Sequence, residues 1–135
     1  MNDLVFVDTG GWFASIVPWD ANHDAAKNWL AQINRSLLTT DSVLSETLTL
    51  PRIRGERERA MWLGEKIWAE ELAVLYLADR EDQLAAWDVF RRFADKDWSF
   101  VDCLSKAVMK RLEINTAFSF DHHFRQFGNI QVVPG

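Results

Sequence analysis

The stretch "LVFVDTGGWFASIVP", residues 4–18, contains a strand pattern and a helix pattern in direct succession. Its apolar run from Leu4 to Val7 predicts a strand that ends at Asp8, where "TGG" interrupts the run. The segment "WFASIV" then predicts a short helix, which Pro18 ends because proline cannot continue the helical hydrogen bonding. A strand that passes directly into a helix forms a βα unit.

The same alternation of strands and helices continues to the end of the chain. Further strands are predicted at "SLLTT", "LAVLYLA", "TAFSF" and "IQVV", and we expect "LAVLYLA" to be buried. Helical patterns lie between them, in "DANHDAAKNWLAQIN", "DSVLSETLTLPRIRG", "ERERAMWLGEKIWAEE", "DREDQLAAWDVFRRFAD" and "SFVDCLSKAVMKRLE". This order predicts an α/β fold: one domain over residues 1–135, with a mostly parallel sheet of about five strands and helices on both faces.

One of these helices, "DSVLSETLTLPRIRG", carries several local signals. Asp41 or Ser42 is expected to cap its start. Pro51 is expected to bend or shorten it, and Gly55 to end it.

Composition narrows the class of protein. The chain has 135 residues, 48% of them hydrophobic and 26% charged, which is typical of a globular domain with a core of its own. Its net charge of -5 argues against sequence-blind coating of nucleic acid, which needs strongly basic faces. The single cysteine, Cys103, cannot form an internal disulfide. With no apolar run of membrane-spanning length and no signal-peptide pattern at the start, we expect a cytoplasmic protein.

Two aspartates follow predicted strands directly, Asp8 after "LVFV" and Asp121 after "AFSF". Taken singly, each is more simply interpreted as a turn residue or as the N-cap of the next helix. However, ligands of open parallel sheets gather at the carboxyl ends of the strands. Both aspartates are therefore candidates for a functional site at that edge.

Two further acids lie in predicted helices. On a helix that begins near Val43, Glu46 shares a face with Val43 and Leu50, so we expect it on the apolar side, where a carboxylate needs a partner such as a cation. Asp102 follows Ser99 by three residues, which is the spacing of a capping box. Helix starts in this fold class often face the edge where the strands end, so Asp102 has two interpretations.

Together, two strand ends and two helices can bring four carboxylates into one cleft. Such like charges repel one another unless a cation neutralises them. Oxygen ligands suit Mg²⁺ or Mn²⁺, and the chemistry that such a site supports is the attack of water on a phosphodiester.

Four segments, in this order and over nearly the whole chain, carry a resemblance to a known family: "FVDTGGWFA", "TTDSVLSETLTL", "WSFVDCLSKAVMKRL" and "AFSFDHHF". Together they resemble the PIN-domain nucleases, and the chain length is most similar to that of the VapC group, the toxins of bacterial toxin–antitoxin pairs. The resemblance implies an endoribonuclease that uses Mg²⁺ or Mn²⁺. It also implies a homodimer, and inhibition by a cognate antitoxin protein.

The resemblance also implies a role for each acid. Asp8 and Asp102 are expected to be the principal metal ligands, and Asp121 to bind the metal directly or through water. Glu46 is expected to hold a metal-bound water or to accept its proton. The remaining implied residues, whose hydroxyls would orient the ligating carboxylates, are Thr9 and Ser99.

The adjacent histidines His122 and His123 suggest a metal site at first sight, but no cysteine or further histidine completes a zinc-type set. We therefore expect them to begin the next helix or turn, and contact with RNA is the more attractive role for either, His122 in particular. The arginines of "PRIRGERER" form a solvated surface, a phosphate-binding patch or an antitoxin docking surface. Of these arginines, the candidates for contact with RNA are Arg52 and Arg54.

Several alternatives stay open. Trp62 and Trp68 are core residues by default, and an interface if exposed. A phosphoacceptor domain would use Asp8 and Asp79, although the acidic pair and the lysine that such a site needs are missing. A catalytically inactive scaffold that binds protein or RNA, and an RNA-processing nuclease that is not a toxin, are the remaining alternatives.

Overall fold

The computed structural model describes residues 3–53 and 55–135. For residues 51–53 it describes the backbone alone. Strands and helices alternate along the chain as the sequence predicts. In order they are β1 (Val5–Val7), α1 (Thr9–Ile16), α2 (His23–Gln32), β2 (Leu37–Thr40), α3 (Asp41–Ile53), α4 (Arg57–Trp68), β3 (Val74–Tyr76), α5 (Arg80–Arg92), α6 (Phe100–Arg111), β4 (Thr116–Phe118), a 3₁₀ helix (His122–Gln126) and β5 (Gln131–Val133).

The five strands form one sheet in the order β3-β2-β1-β4-β5, and every neighbouring pair is parallel. β1 lies at the centre, with Phe6 opposite Leu38 of β2 on one side and Ala117 of β4 on the other. The predicted α/β fold is confirmed. Because β1 and β4 are neighbours in register, the residues that follow them, Asp8 and Ser119, leave the sheet side by side.

The core packs α1 and α2 tightly against β4. The indole of Trp29 stacks on the ring of Phe118, with 4.6 Å between ring centroids. A Cβ atom at Gly11 would lie 2.7 Å from the carbonyl oxygen of Phe118, so only glycine lets α1 approach the strand this closely. This contact places the start of α1 beside the end of β4.

The structure corrects two local predictions. β3 is not buried: Val74 is 46% exposed, because β3 is an edge strand with only β2 as its neighbour. The cap of α3 is neither Asp41 nor Ser42. The hydroxyl of Thr40, the residue before the helix, accepts a hydrogen bond of 3.2 Å from the backbone N–H of Val43.

Elsewhere α3 continues past Pro51 to Ile53, so the proline does not shorten it. Gly55 follows with a φ of +81°, which is consistent with a helix end. Within the described ranges no helix combines the length and the apolar character needed to cross a membrane.

Candidate active site

The structure brings the four predicted acids together around one cleft of about 280 Å³ at the edge of the sheet where β1 and β4 end. The side chains of the cleft come from five parts of the fold. They are Asp8, Thr9, Gly10, Glu46, Asp97, Ser99, Asp102, Asp121 and His123.

No lysine or arginine is among these residues. The larger hollows of the described molecule have a different character. One of them, about 900 Å³ between the end of α1 and the start of α4, is lined by charges of both signs together with Trp62. The acid-lined cleft differs from these hollows because its carboxylate oxygens could bind a metal ion.

Asp8 is buried at the end of the central strand, in front of α1. The Ser119 hydroxyl donates a hydrogen bond of 3.2 Å to its Oδ2, and the same hydroxyl accepts one of 3.0 Å from the backbone N–H of Asp121. Burial raises the pKa of Asp8 to about 7, and the nearby charges of Asp102 and Asp121 add to the rise. Hydrogen bonds from the Thr9 backbone and from Ser119 lower that pKa and only partly offset the effect of burial.

Asp102 fits both interpretations that the sequence left open, the helix cap and the cleft residue. It forms a capping box at the start of α6: the Ser99 hydroxyl accepts from the Asp102 N–H at 3.0 Å, and Asp102 Oδ2 accepts from the Ser99 N–H at 3.0 Å. The same buried carboxylate also lines the cleft. Ser99 therefore holds Asp102 through its hydroxyl and its backbone together.

Glu46 corrects an expectation about its surroundings. The buried face of α3 is formed by Val43, Leu44 and Thr47, and Glu46 lies to one side of that face with an exposed side chain. Its partner is a hydroxyl: Thr9 Oγ1 donates a hydrogen bond of 2.6 Å to Glu46 Oε1. Glu46 reaches the cleft because α3 packs against α1 at this point, and burial in the core plays no part.

Asp121 is the N-cap of the 3₁₀ helix, and its Oδ1 accepts a hydrogen bond of 2.9 Å from the backbone N–H of His123. The two histidines begin this helix, as expected, but their side chains differ. His122 is 74% exposed, whereas His123 is 16% exposed and its Nδ1 lies 2.9 Å from Asp102 Oδ2. One atom of each of Asp121, His122 and His123 lies within 4.8 Å of the others, which is close enough for a shared cation.

Sequence reasoning missed two residues at this site, Ser119 and Asp97, and one contact, that of His123 with Asp102. Ser119 lies two positions before Asp121, and its hydroxyl joins Asp121 to Asp8. Asp97 lies in the loop before α6. The one sequence feature that could have indicated a place at the cleft is its position two residues before Ser99 of the capping box.

One candidate lies away from the cleft, and two others fall outside what the structure describes. Asp79 caps α5 and pairs with Arg111 at 3.2 Å, which leaves the phosphoacceptor hypothesis without its second acid. Of the arginine predictions, Arg54 lies outside the described residues, and the side chain of Arg52 is likewise outside them.

The donor set fits a hard divalent cation. Five carboxylates, those of the four predicted acids and of Asp97, line a cleft with no lysine or arginine among its residues to balance them. Carboxylate oxygens are the ligands that Mg²⁺ and Mn²⁺ prefer. Asp102 and Asp121 each have one oxygen held by backbone N–H groups and a second oxygen without a hydrogen bond to any described residue. Those second oxygens, with the carboxylate of Asp8, are the groups that could hold the cation.

The fold and this acidic cleft define the class of protein. The sequence matches the PIN domain family over residues 5–130, and the chain belongs to that family. Among curated proteins it is similar to the 23S rRNA-specific endonuclease VapC20 of Mycobacterium tuberculosis, with 34% identity over 132 residues that span 97% of this chain and 99% of that protein. The predicted resemblance to PIN-domain nucleases of the VapC group is confirmed.

Solved structures agree. The crystal structure of M. tuberculosis VapC20, described as a sarcin–ricin loop cleaving toxin, superposes with a TM-score of 0.87 at 31% identity and covers 92% of this chain and 95% of that one. The crystal structure of FitAcB from Neisseria gonorrhoeae gives a TM-score of 0.68 at 15% identity and covers 95% of each chain. At that identity the second similarity concerns the fold alone.

Proposed function

We propose that this protein is a metal-dependent endoribonuclease and the toxin of a type II toxin–antitoxin pair. The observation that carries the proposal is the convergence of Asp8, Glu46, Asp102 and Asp121 on one cleft of a PIN domain. Full-length similarity to VapC20 supports it and suggests the substrate, the sarcin–ricin loop of 23S rRNA.

In this proposal Asp8, Asp102 and Asp121 hold Mg²⁺ or Mn²⁺. When bound, the cation would activate the attacking water and offset negative charge on the phosphate. The chain's own groups orient the reactants. The Ser119 hydroxyl connects the carboxylate of Asp8 to the backbone N–H of Asp121 and so holds the end of β1 beside the segment that carries Asp121.

Glu46 is the proposed proton acceptor. Thr9 holds its Oε1 at 2.6 Å, and Oε2 has no hydrogen bond to a described residue. Oε2 can therefore accept the proton that the water loses as its oxygen bonds to phosphorus. The bond from phosphorus to the leaving ribose oxygen breaks, and that oxygen takes up a proton from solvent water.

Two exposed apolar surfaces fit the proposed protein partners. The first, which we name the α4 surface, consists of Met61, Trp62 and Trp68; both tryptophans are at least half exposed, at 50% and 60%. It borders a groove of about 410 Å³ between α3 and α4. We assign it to the antitoxin, because a groove between two helices accepts an apolar peptide segment.

The second, the α5 surface, consists of Trp87, Phe90 and Phe100. Trp87 stacks on Phe90 at 5.8 Å, and Phe90 meets Phe100 edge to face at 6.0 Å. Phe100 follows Ser99 of the cleft directly. We assign this aromatic surface to the homodimer, since exposed aromatic patches of this kind mark subunit contacts.

A cleavage assay tests the proposed activity. Labelled RNA containing a sarcin–ricin loop, and an RNA of the same length without it, are incubated with Mg²⁺, with Mn²⁺ or with EDTA. The Asp102→Asn variant and a matched surface control, Asp95→Asn, are purified in parallel. We expect cation-dependent cutting of the loop RNA by the wild-type and control proteins alone.

The other outcomes separate the alternatives. Cutting of both RNAs without preference would favour an RNA-processing nuclease. Equal cutting by all three proteins would indicate a contaminant. No cutting, together with no Mn²⁺ binding by calorimetry, would favour the scaffold that only binds partners.

A further inference from the structure

His123 lies within the wall of the acidic cleft, whereas the sequence suggested contact with RNA for it and no part in a metal site. Its side chain is 16% exposed, whereas its neighbour His122 is 74% exposed. The Nδ1 atom lies 2.9 Å from Asp102 Oδ2 and 3.4 Å from Asp121 Oδ1. The ring therefore lies between two of the proposed metal ligands, one on α6 and one after β4.

The backbone around His123 fixes the position of this ring. The N–H of His123 donates to Asp121 Oδ1 at 2.9 Å, which holds the first turn of the 3₁₀ helix. The next residue, Phe124, is fully buried and packs against Phe6 of the central strand, with ring centroids 6.1 Å apart. His123 is thus anchored to the core on one side and to Asp121 on the other.

The hydrogen-bonding chemistry assigns a direction to the contact with Asp102. A carboxylate that ligates a cation can only accept hydrogen bonds, so the role proposed for Asp102 requires the hydrogen between the two groups to lie on Nδ1 of His123. Asp102 Oδ2 then accepts from two donors, the His123 ring and the Ser99 N–H. The other oxygen, Oδ1, has no hydrogen bond to a described residue, and it is the oxygen left for a cation.

We infer that His123 is a positioning residue for the metal site: its Nδ1–H holds Oδ2 of Asp102 and so presents Oδ1 to the cation. The ring acts through Asp102 and is not itself a ligand. A single donor would let the carboxylate rotate about its Cβ–Cγ bond, and two donors on one oxygen oppose that rotation. Outer hydrogen bonds of this kind orient ligating carboxylates in metal sites generally. The inference rests on the proposed function, which makes Asp102 a metal ligand.

Calorimetric titration with Mn²⁺ of four proteins tests the inference: the wild type, His123→Phe, His123→Asn and the exposed surface control Asp95→Asn. The Phe variant keeps a ring but has no donor, whereas the side-chain amide of asparagine reaches the place of Nδ1 with an N–H. We expect Mn²⁺ binding about 10–100-fold weaker in His123→Phe, which is the usual effect of losing an outer hydrogen bond. His123→Asn should stay near wild type, and Asp95→Asn should be unchanged.

Two further measurements need no variant at His123. Long-range ¹H–¹⁵N spectra of the metal-free wild type should show the hydrogen of His123 on Nδ1, and a neutral ring protonated only at Nε2 would overturn the inference. Pulsed EPR of the Mn²⁺-loaded protein should show no directly bound histidine nitrogen, and such a coupling would make His123 a ligand instead.

The outcomes for the inference and for the proposed function are distinct. Unchanged Mn²⁺ affinity in His123→Phe would remove the positioning role and leave the nuclease proposal intact. A wild-type protein that binds no Mn²⁺ would overturn both.

Discussion

Thr9 Oγ1 donates a hydrogen bond of 2.6 Å to Oε1 of Glu46, and this bond joins the first turn of α1 to α3 across 37 residues. Thr9 is buried, whereas Glu46 is exposed, so the buried residue orients the exposed one. A second bond of the same kind joins the Ser119 hydroxyl to Asp8 across 111 residues. The acidic cleft is thus held together by hydroxyl groups from separate segments.

Replacing Thr9 tests the orientation of Glu46. Thr9→Val removes the donor and keeps the shape, so we expect single-turnover RNA cleavage to slow by about 10–100-fold, in line with the loss of other outer hydrogen bonds in metal sites. Thr9→Ser keeps the hydroxyl and should retain most of the rate. Mn²⁺ affinity should change little in either variant, because Glu46 is not among the proposed principal ligands. Wild-type cleavage by Thr9→Val would contradict the role given to this bond.

The raised pKa of Asp8 predicts a pH-dependent stability difference. Between pH 3.8 and about 7 the unfolded chain has lost the proton that the folded chain keeps, so stability falls as the pH rises through this window. Asp8→Asn cannot ionise. Without metal, the variant should have no advantage over the wild type in the free energy of unfolding below pH 3.8. Above pH 7 its advantage should reach at most about 4 kcal/mol, because each pKa unit corresponds to about 1.4 kcal/mol.

Urea denaturation in EDTA at several pH values measures this advantage. Asp95→Asn, an exchange at an exposed loop position, serves as the control and should show no comparable trend. An advantage of Asp8→Asn that is independent of pH would show that burial does not raise the pKa of Asp8.

Ser119→Ala removes the hydroxyl that joins Asp8 to Asp121. Since the Ser119 hydrogen bond lowers the pKa of Asp8, its loss should raise that pKa further. The pH midpoint of Mn²⁺ binding should therefore shift upward, which calorimetry across a pH series detects. Ser119→Thr, which keeps the hydroxyl, is the matched control. A midpoint that does not move would mean that the hydroxyl has no influence on Asp8.

Gly11 and Gly10 form a matched pair for the packing of α1. An added Cβ at Gly11 meets the Phe118 carbonyl oxygen at 2.7 Å, whereas one at Gly10 approaches no closer than 3.9 Å to the Phe120 nitrogen. We expect Gly11→Ala to lower the free energy of unfolding by about 1–3 kcal/mol, as overpacking usually does. Gly10→Ala should be close to neutral. Thermal denaturation of the two variants measures the difference, and equal effects would contradict the close packing of α1 on β4.

The α5 surface predicts the effect of a charge on self-association. Phe90→Glu places a carboxylate within the Trp87–Phe90–Phe100 cluster and should shift the protein toward monomer in light scattering after size exclusion. Trp68→Glu on the α4 surface exchanges an aromatic residue that is more exposed than Phe90 and should leave the mass unchanged. The reverse result would exchange the two assignments.

Local chemistry made much of this protein readable from its sequence. The alternation of apolar runs and helical patterns is enough for a parallel α/β sheet, because each strand needs a helix to return the chain. The capping box of Ser99 and Asp102 is equally local, since both residues lie within one helical turn. Asp8 and Asp121 were found because parallel strands end at one edge.

The remaining features depend on contacts between distant segments, which no local pattern records. Glu46 contacts Thr9 without being buried because α1 packs against α3. Strand β3 is exposed because it lies at the edge of the sheet. Ser119 and His123 acquire their partners only when β4 lies beside β1 and the 3₁₀ helix closes over the start of α6. The acids could be named from the sequence, whereas the groups that orient them are selected by tertiary packing, because a hydrogen bond requires proximity that the chain acquires only on folding.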